Sequence, residues 1–192
     1  MTRTGIYGGS FNPVHNGHIA IAEAMLRLGG LDEIWLMVSP QNPLKQASGL
    51  LDDRLRLEMT RRAVEGIPHV TACDYEFGLP RPSYMWNTLQ ALSRDYPERE
   101  FTLLIGADNW AVFDRWHRAG DILARYPICI YPRRGYPIDE AALPQGVRLV
   151  DTGLYDISST LVRERIRRGE DVAPLIPECI RRMAEECYRK AL

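Results

Sequence analysis

Apolar and polar positions alternate between short apolar runs and longer amphipathic ones along the chain. Gly5-Ile6-Tyr7 reads as a short strand that ends in Gly8-Gly9-Ser10. Over residues 17–28 the apolar residues Ile19, Ile21, Ala22, Met25 and Leu26 recur at helical spacing, and Gly29-Gly30 stops that helix. Residues 33–39 (EIWLMVS) form a mostly apolar strand, followed by a Pro/Asn/Gln loop over 40–50. Asp52 opens a charged helix reaching to about residue 66, with Leu55, Met59 and Ala63 on one face, and residues 69–73 read as another strand. A helix over 83–95 is expected to be capped by Ser83. Residues 101–105 (FTLLI), 127–131 (PICIY) and 147–151 read as three more strands, and helices over 159–168 and 177–191 close the chain.

Strands that are apolar throughout, each bounded by a helix, predict a parallel sheet covered on both faces. The expected fold class is therefore α/β, a doubly wound, Rossmann-like parallel sheet. With no repeat, low-complexity tract or long linker, the sequence predicts one domain over 1–192, with a helical C-terminal part at about 158–192. In such sheets ligands sit beyond the carboxyl ends of the strands, near the topological switch point. Those ends carry Gly8-Gly9-Ser10, Gly106-Ala107-Asp108, Pro132-Arg133-Arg134 and Asp156-Ile157-Ser158-Ser159, a small, polar and basic set suited to an anionic ligand.

Composition narrows the partners. Of 192 residues 45% are hydrophobic and 26% charged, which excludes a disordered or collagen-like chain. A formal net charge of −1 argues against coating nucleic acid or an anionic membrane by bulk charge, but leaves room for a local anion site. Residues 1–7 run into Gly8-Gly9 with no apolar leader, and no run approaches the roughly 20 apolar residues of a membrane span. Four cysteines without a C-x-x-C pair favour reduced thiols and a cytoplasmic location, and argue against a thiolate zinc site. Only Lys45 and Lys190 among the 24 basic residues are lysines.

Two segments carry candidate chemistry. In Gly8-Gly9-Ser10-Phe11-Asn12-Pro13-Val14-His15-Asn16-Gly17-His18, adjacent glycines let backbone N–H groups approach a phosphate closely. His15 and His18, three apart at a helix start, share a face and can donate to phosphoryl oxygens as charge develops. Zinc helices place His at i and i+4 with a third ligand, which is missing here, so no metal site is expected. The loop matches neither a P-loop nor G-x-G-x-x-G. In Ile157-Ser158-Ser159-Thr160-Leu161-Val162-Arg163, Ser158 or Ser159 should cap a helix whose remaining hydroxyl and N–H groups face an anion. Arg163, placed in the first turn, would offer the same anion a planar fork. Arg165, Arg167 and Arg168 spread around that helix and read as a solvated face. The acidic residues Glu164, Glu170, Glu178, Glu185 and Glu186 interleave with the arginines of the last two helices, which weakens a nucleic-acid reading.

The first segment matches the [GT]-x-F-x-P-x-H-x-G-H signature of nucleotidylyltransferases, and Ile157-Ser158-Ser159-Thr160 with Arg163 matches their I-S-S-T-x-x-R signature. Pro82-Ser83-Tyr84 with Thr88, Ile105-Gly106-Ala107-Asp108, Trp116 and Arg133-Arg134-Gly135-Tyr136-Pro137 extend the match in order along the whole chain. The sequence thus resembles the nicotinate-nucleotide adenylyltransferase family. The resemblance implies in-line adenylyl transfer from ATP to nicotinate mononucleotide, giving nicotinate adenine dinucleotide and pyrophosphate, with Mg²⁺ carried on ATP. It implies catalytic roles for His15, His18 and Arg163. Gly8, Gly9, Ser10, Phe11, Lys45, Gly106, Asp108, Arg133, Ser158, Ser159 and Thr160 would bind ATP and its phosphates, Gly106 and Asp108 meeting a ribose. Tyr84, Trp86, Thr88, Trp116 and His117 would bind the pyridine nucleotide, Trp116 by stacking and Trp86 and His117 through backbone amides.

The family's P-P-H-[KR] motif stands here as Asn42-Pro43-Leu44-Lys45, which keeps the cation and loses the histidine. Nicotinamide mononucleotide as preferred substrate, phosphopantetheine or cytidylyl transfer, and a non-catalytic nucleotide-binding protein are the competing readings. Self-association into a homo-oligomer stays open.

Overall fold

The computed structural model describes residues 1–40 and 49–190. The elements are β1 (Thr2–Gly9), α1 (Asn16–Leu28), β2 (Glu33–Val38), α2 (Asp53–Val64), β3 (Val70–Cys73), α3 (Met85–Asp95), β4 (Arg99–Gly106), α4 (Ala107–Trp110), α5 (Ala119–Arg125), β5 (Ile128–Tyr131), β6 (Val147–Leu149), α6 (Ser159–Arg168) and α7 (Glu178–Lys190). The six strands form one sheet in the order β3-β2-β1-β4-β5-β6, and every pairing is parallel. The chain winds outward from β1 to one edge, then returns to β1's other side as β4. Beyond the ends of β1 and β4 the two windings diverge, which leaves the switch-point crevice.

Period-2 alternation sends neighbouring side chains of one strand to opposite faces. Tyr7, Leu36, Val38, Leu104, Cys129 and Tyr131 pack on one face with α1, α2, α6 and α7 residues, among them Met25, Met59, Val162, Ile180 and Tyr188. Ile6, Met37, Leu103, Ile105, Ile128 and Ile130 pack on the other with Trp86, Leu89 and Leu92 of α3 and Ile122 of α5. Both faces are thus dry, which explains why these strands read as unbroken apolar runs.

Three details differ from the sequence reading. The N-cap of α3 is Tyr84, not Ser83, because Ser83 is buried and turned from the helix start into a cavity. Arg163 lies beyond the first turn of α6, since Ser158 is the N-cap and the helix starts at Ser159. The seven-residue α5 carries too little periodic signal to be read from sequence. Lys45, Leu44 and the rest of that loop motif lie outside the described residues. Among the described residues, no helix is long and apolar enough to cross a membrane.

Candidate active site

A polar cleft of about 590 Å³ opens at the carboxyl end of β1. Gly8, Gly9 and Ser10 form its floor. The Phe11 ring lies over Gly9 so closely that a Cβ there would stand 2.9 Å from it, so only glycine fits. Phe11 itself takes a positive φ of 43°, held by its burial and by edge contacts to Tyr7 and His18 at 5.8 and 4.9 Å. Its ring supports the loop from beneath.

His15 and His18 are placed by a reciprocal cap at the start of α1. The His18 backbone N–H donates to His15 Nδ1 at 3.3 Å, and the His15 backbone N–H donates to His18 Nδ1 at 3.2 Å. The rings stack with centroids 3.6 Å apart. A neutral imidazole whose Nδ1 accepts carries its proton on Nε2. Both residues line the cleft, so the pair offers it two N–H donors. Burial, and secondarily the nearby Arg133 cation, push His15 down to about 3, so it is neutral at physiological pH.

That shift has a consequence for stability. Unfolded, the imidazole binds a proton below its ordinary value near 6.5; folded, it resists protonation down to about 3. Between those values the unfolded chain binds more protons, so stability falls as pH falls. From pH 7 to pH 5 this one group should cost about 2 kcal/mol. Urea titrations of wild type and His15→Asn at both pH values check it: the variant should lose that much less stability on acidification.

The opposite wall is the start of α6. Ser158 caps it by accepting from the Leu161 N–H at 3.1 Å. The Ser159 hydroxyl donates to the Pro13 carbonyl at 2.8 Å, which ties the helix to the histidine loop. Arg163 donates to the Asn12 carbonyl at 2.7 Å and to the Thr160 hydroxyl at 3.2 Å, so its head reaches back to the cleft despite its place one turn in. The N-termini of α1 and α6 therefore face one space, and both dipole ends favour an anion there.

Charge in the cleft is uneven. Arg134 is matched by Asp156 at 2.5 Å, and both are exposed. Arg133 sits over the Tyr131 ring at 5.1 Å, and its Nε stands 3.7 Å from Asp108 Oδ1; neither atom has a hydrogen-bond partner. Gly106 lines neither this cleft nor its neighbour; a Cβ on it would lie 2.3 Å from Asp108 Oδ1 and 3.2 Å from Arg133 Nε. Its contribution is the room it leaves for that pair, in place of the expected ribose contact.

A second cavity of about 210 Å³ adjoins the cleft and shares Gly8, Gly9, Ser10, Asp108, Asn109 and Tyr131 with it. Tyr84, Trp116 and His117 line it, with the Tyr84 and His117 rings 4.8 Å apart. The side chains of two other expected residues do not, although Trp86 was expected to act through its backbone amide. Trp86 is buried in the core beneath Arg118 and Arg125, at 4.6 and 5.6 Å from their guanidinium carbons. Thr88 is fully buried and donates to Glu76 Oε1 at 2.9 Å. Glu76, which lines the cavity, escaped the sequence reading, as did Arg56 and Asn12. Arg56 is wholly buried and donates to the carbonyls of Ser10, Ser39 and Leu51 at 2.5, 2.9 and 2.8 Å. Asn12 Oδ1 accepts from the Tyr188 hydroxyl at 2.7 Å and the Leu51 N–H at 3.2 Å. No local signal marks such contacts, because the partners are far away in sequence.

Among the described residues, no three or more His, Cys, Asp or Glu side chains gather as a metal site. Two helix N-termini, paired imidazole donors and guanidinium groups around a switch-point crevice define a nucleotidyl-transfer type of α/β protein. The chain belongs to the cytidylyltransferase-like family, whose model matches residues 6–165, and within it to the nicotinate-nucleotide adenylyltransferases. It is 48% identical over 171 residues to a protein of Bacteroides fragilis (strain YCH46), covering 89% of this chain and 85% of that one. It is 50% identical over 170 residues to one of Bacteroides thetaiotaomicron, covering 88% and 84%. Both bear the name "Probable nicotinate-nucleotide adenylyltransferase". The fold is shared with Plasmodium falciparum nicotinic acid mononucleotide adenylyltransferase complexed with NaAD, at a TM-score of 0.80 and 18% identity over 97% of this chain and 98% of that one.

Proposed function

We propose that this protein transfers the adenylyl group of ATP to nicotinate mononucleotide, releasing pyrophosphate and forming nicotinate adenine dinucleotide for NAD biosynthesis. One observation carries the reading: a large polar cleft and a small aromatic-lined cavity meet at Gly8, Gly9, Ser10 and Asp108, beside the paired histidines. The cleft suits the triphosphate and the cavity suits the pyridine ring. Family names and the motif matches support the same choice.

A phosphate oxygen of the mononucleotide attacks the α-phosphorus of ATP, and the bond from that phosphorus to the bridging oxygen of pyrophosphate breaks. The step needs no protein nucleophile, only alignment and charge stabilisation. The Nε2–H groups of His15 and His18 donate to the phosphoryl oxygens. Arg163, Arg133 and the start of α6, with Ser158, Ser159 and Thr160, hold the leaving pyrophosphate. The backbone of Gly8 to Ser10 lies against the nucleotide. Trp116 stacks on the pyridine ring, with Tyr84 and His117 around it.

Asp108, whose Oδ1 has no hydrogen-bond partner and stands 3.7 Å from Arg133 Nε, is the carboxylate that would lie beside a magnesium ion arriving on ATP with its own water shell. When bound, such an ion would offset phosphate charge. Lys45 is assigned to the phosphates by the motif match alone. All four cysteines are free, which fits a cytoplasmic enzyme.

A substrate panel tests the reading. Pyrophosphate release is expected only when ATP, magnesium and nicotinate mononucleotide are present together. Faster release with phosphopantetheine, or with CTP and an alcohol phosphate, would overturn it.

A further inference from the structure

Helix α7 buries a stripe of three residues spaced four apart, Ile180, Ala184 and Tyr188. The first two are apolar. Tyr188 ends the stripe with a hydroxyl and is only 1% exposed. A phenol at that depth needs a partner, and Tyr188 finds one at the other end of the chain: its hydroxyl donates to Asn12 Oδ1 at 2.7 Å. Burial pushes the Tyr188 hydroxyl well above its ordinary range, against the opposing pull of the Arg163 and Arg56 cations, so it stays protonated and remains a donor.

Asn12 is a junction between four segments. Its Oδ1 also accepts from the Leu51 N–H at 3.2 Å, and its Nδ2 donates to the Gly49 carbonyl at 3.0 Å. Both lone pairs of Oδ1 and one amide hydrogen are thus in use, which fixes where the residue stands. Its main-chain carbonyl accepts from Arg163 at 2.7 Å. Among the described residues, the other hydrogen bond of that guanidinium goes to Thr160 on its own helix, at 3.2 Å. One of the two bonds that aim the Arg163 fork is therefore local to α6. The other depends on Asn12, and through it on α7.

We propose that Tyr188 is a positioning residue for adenylyl transfer: by holding Asn12 it sets the orientation of the Arg163 guanidinium at the cleft. No residue of α7 lines the cleft, so the helix would act on the reaction at one remove. The inference rests on the adenylyl-transfer reading above and deepens it, naming what aims one of its phosphate-binding groups. A guanidinium grips phosphate oxygens through a planar fork, so its direction matters as well as its charge. The histidine loop has further ties that do not involve Tyr188, from Arg56 to the Ser10 carbonyl and from Ser159 to the Pro13 carbonyl. Without the Tyr188 hydroxyl, Asn12 Oδ1 still keeps the Leu51 N–H. The loss should therefore fall on the aim of Arg163 more than on the folding of the loop.

A double-mutant cycle tests this, because it separates action through Arg163 from a general loosening. Tyr188→Phe removes only the hydroxyl. In the wild-type background it should lower kcat at least about fivefold, the size of one neutral hydrogen bond felt in the transition state. KM for nicotinate mononucleotide should stay within about twofold, since the pyridine cavity is not touched. In an Arg163→Ala background, where no fork remains to be aimed, Tyr188→Phe should change kcat by less than about twofold. Thermal melts of the four proteins set an assay temperature at which all are folded.

The same cycle on the Kd of magnesium pyrophosphate needs no turnover. Tyr188→Phe should weaken that binding about fivefold when Arg163 is present and leave it unchanged when Arg163 is absent. A smaller loss of kcat in the wild-type background overturns the proposal, as does a rise in KM for nicotinate mononucleotide in its place. So does a loss that persists in the Arg163→Ala background, because the hydroxyl would then act on the loop as a whole. If wild type adenylylates nicotinate mononucleotide and the cycle is additive, only this inference fails. If wild type does not turn over that pair, the reading of the function fails, and the pyrophosphate cycle still decides whether Tyr188 aims Arg163.

Discussion

His18→Asn should lower kcat at least about a hundredfold, the loss typical of one preorganised donor to a developing oxyanion. Asparagine can still accept the His15 backbone N–H, so the cap of α1 survives while the Nε2–H donor is lost. His18→Ala removes both, and should show the same catalytic loss with an added fall in stability of about 1 kcal/mol. The pattern separates chemistry from folding. Steady-state measurement of pyrophosphate release at saturating substrates gives kcat, and a thermal melt gives the contribution of the cap. An unchanged kcat in the asparagine variant, with ATP saturating, would remove the histidine clamp from the mechanism.

Arg56→Met should destabilise the protein by about 3 kcal/mol or more, the range for breaking a buried polar network by removing one partner. The guanidinium is wholly buried and bonds four carbonyls on three separate segments: Ser10 on the histidine loop, Ser39 and Pro40 after β2, and Leu51 before α2. Methionine fills much of the volume but leaves those carbonyls without a donor. Lysine restores a charge and some donors, but not the planar fork, so Arg56→Lys should lose less. Since Ser10 floors the cleft, the methionine variant should also bind ATP more weakly. Urea denaturation and ATP titration of both variants measure the two effects. Full stability in the methionine variant would show that the carbonyls find water instead.

The readable parts of the site share one property: their partners are close in sequence. Gly9 and Phe11, His15 and His18, and Ser158 and Leu161 lie two or three residues apart, so spacing carried the information. Even there residue order showed only proximity. It did not reveal that each imidazole caps the other's backbone N–H, a geometry that fixes which nitrogen keeps the proton. Glu76, Asn12 and Arg56 were illegible because their roles come mostly from partners 12 to 176 residues away, Leu51 beside Arg56 being the near exception. Thr88 misled for the opposite reason: it follows the lining residues Tyr84 and Met85, but a helix turns about 100° per residue and carries its side chain into the core.

By itself the amino-acid sequence determined the parallel α/β architecture, because apolar runs of strand length between amphipathic helices have one stable solution, a sheet buried on both faces. It also determined the two helix starts that face the cleft, whose capping side chains are local. Only the tertiary structure decided which charges remain for a ligand. Arg134 is neutralised by Asp156, twenty-two residues on. Arg133 faces Asp108 across 3.7 Å, Arg163 is held at the cleft by a carbonyl and a hydroxyl, and Glu76 is enclosed among hydroxyls. Electrostatics in a folded chain depends on burial and on neighbours brought together across the sheet, and neither is a property of residue order.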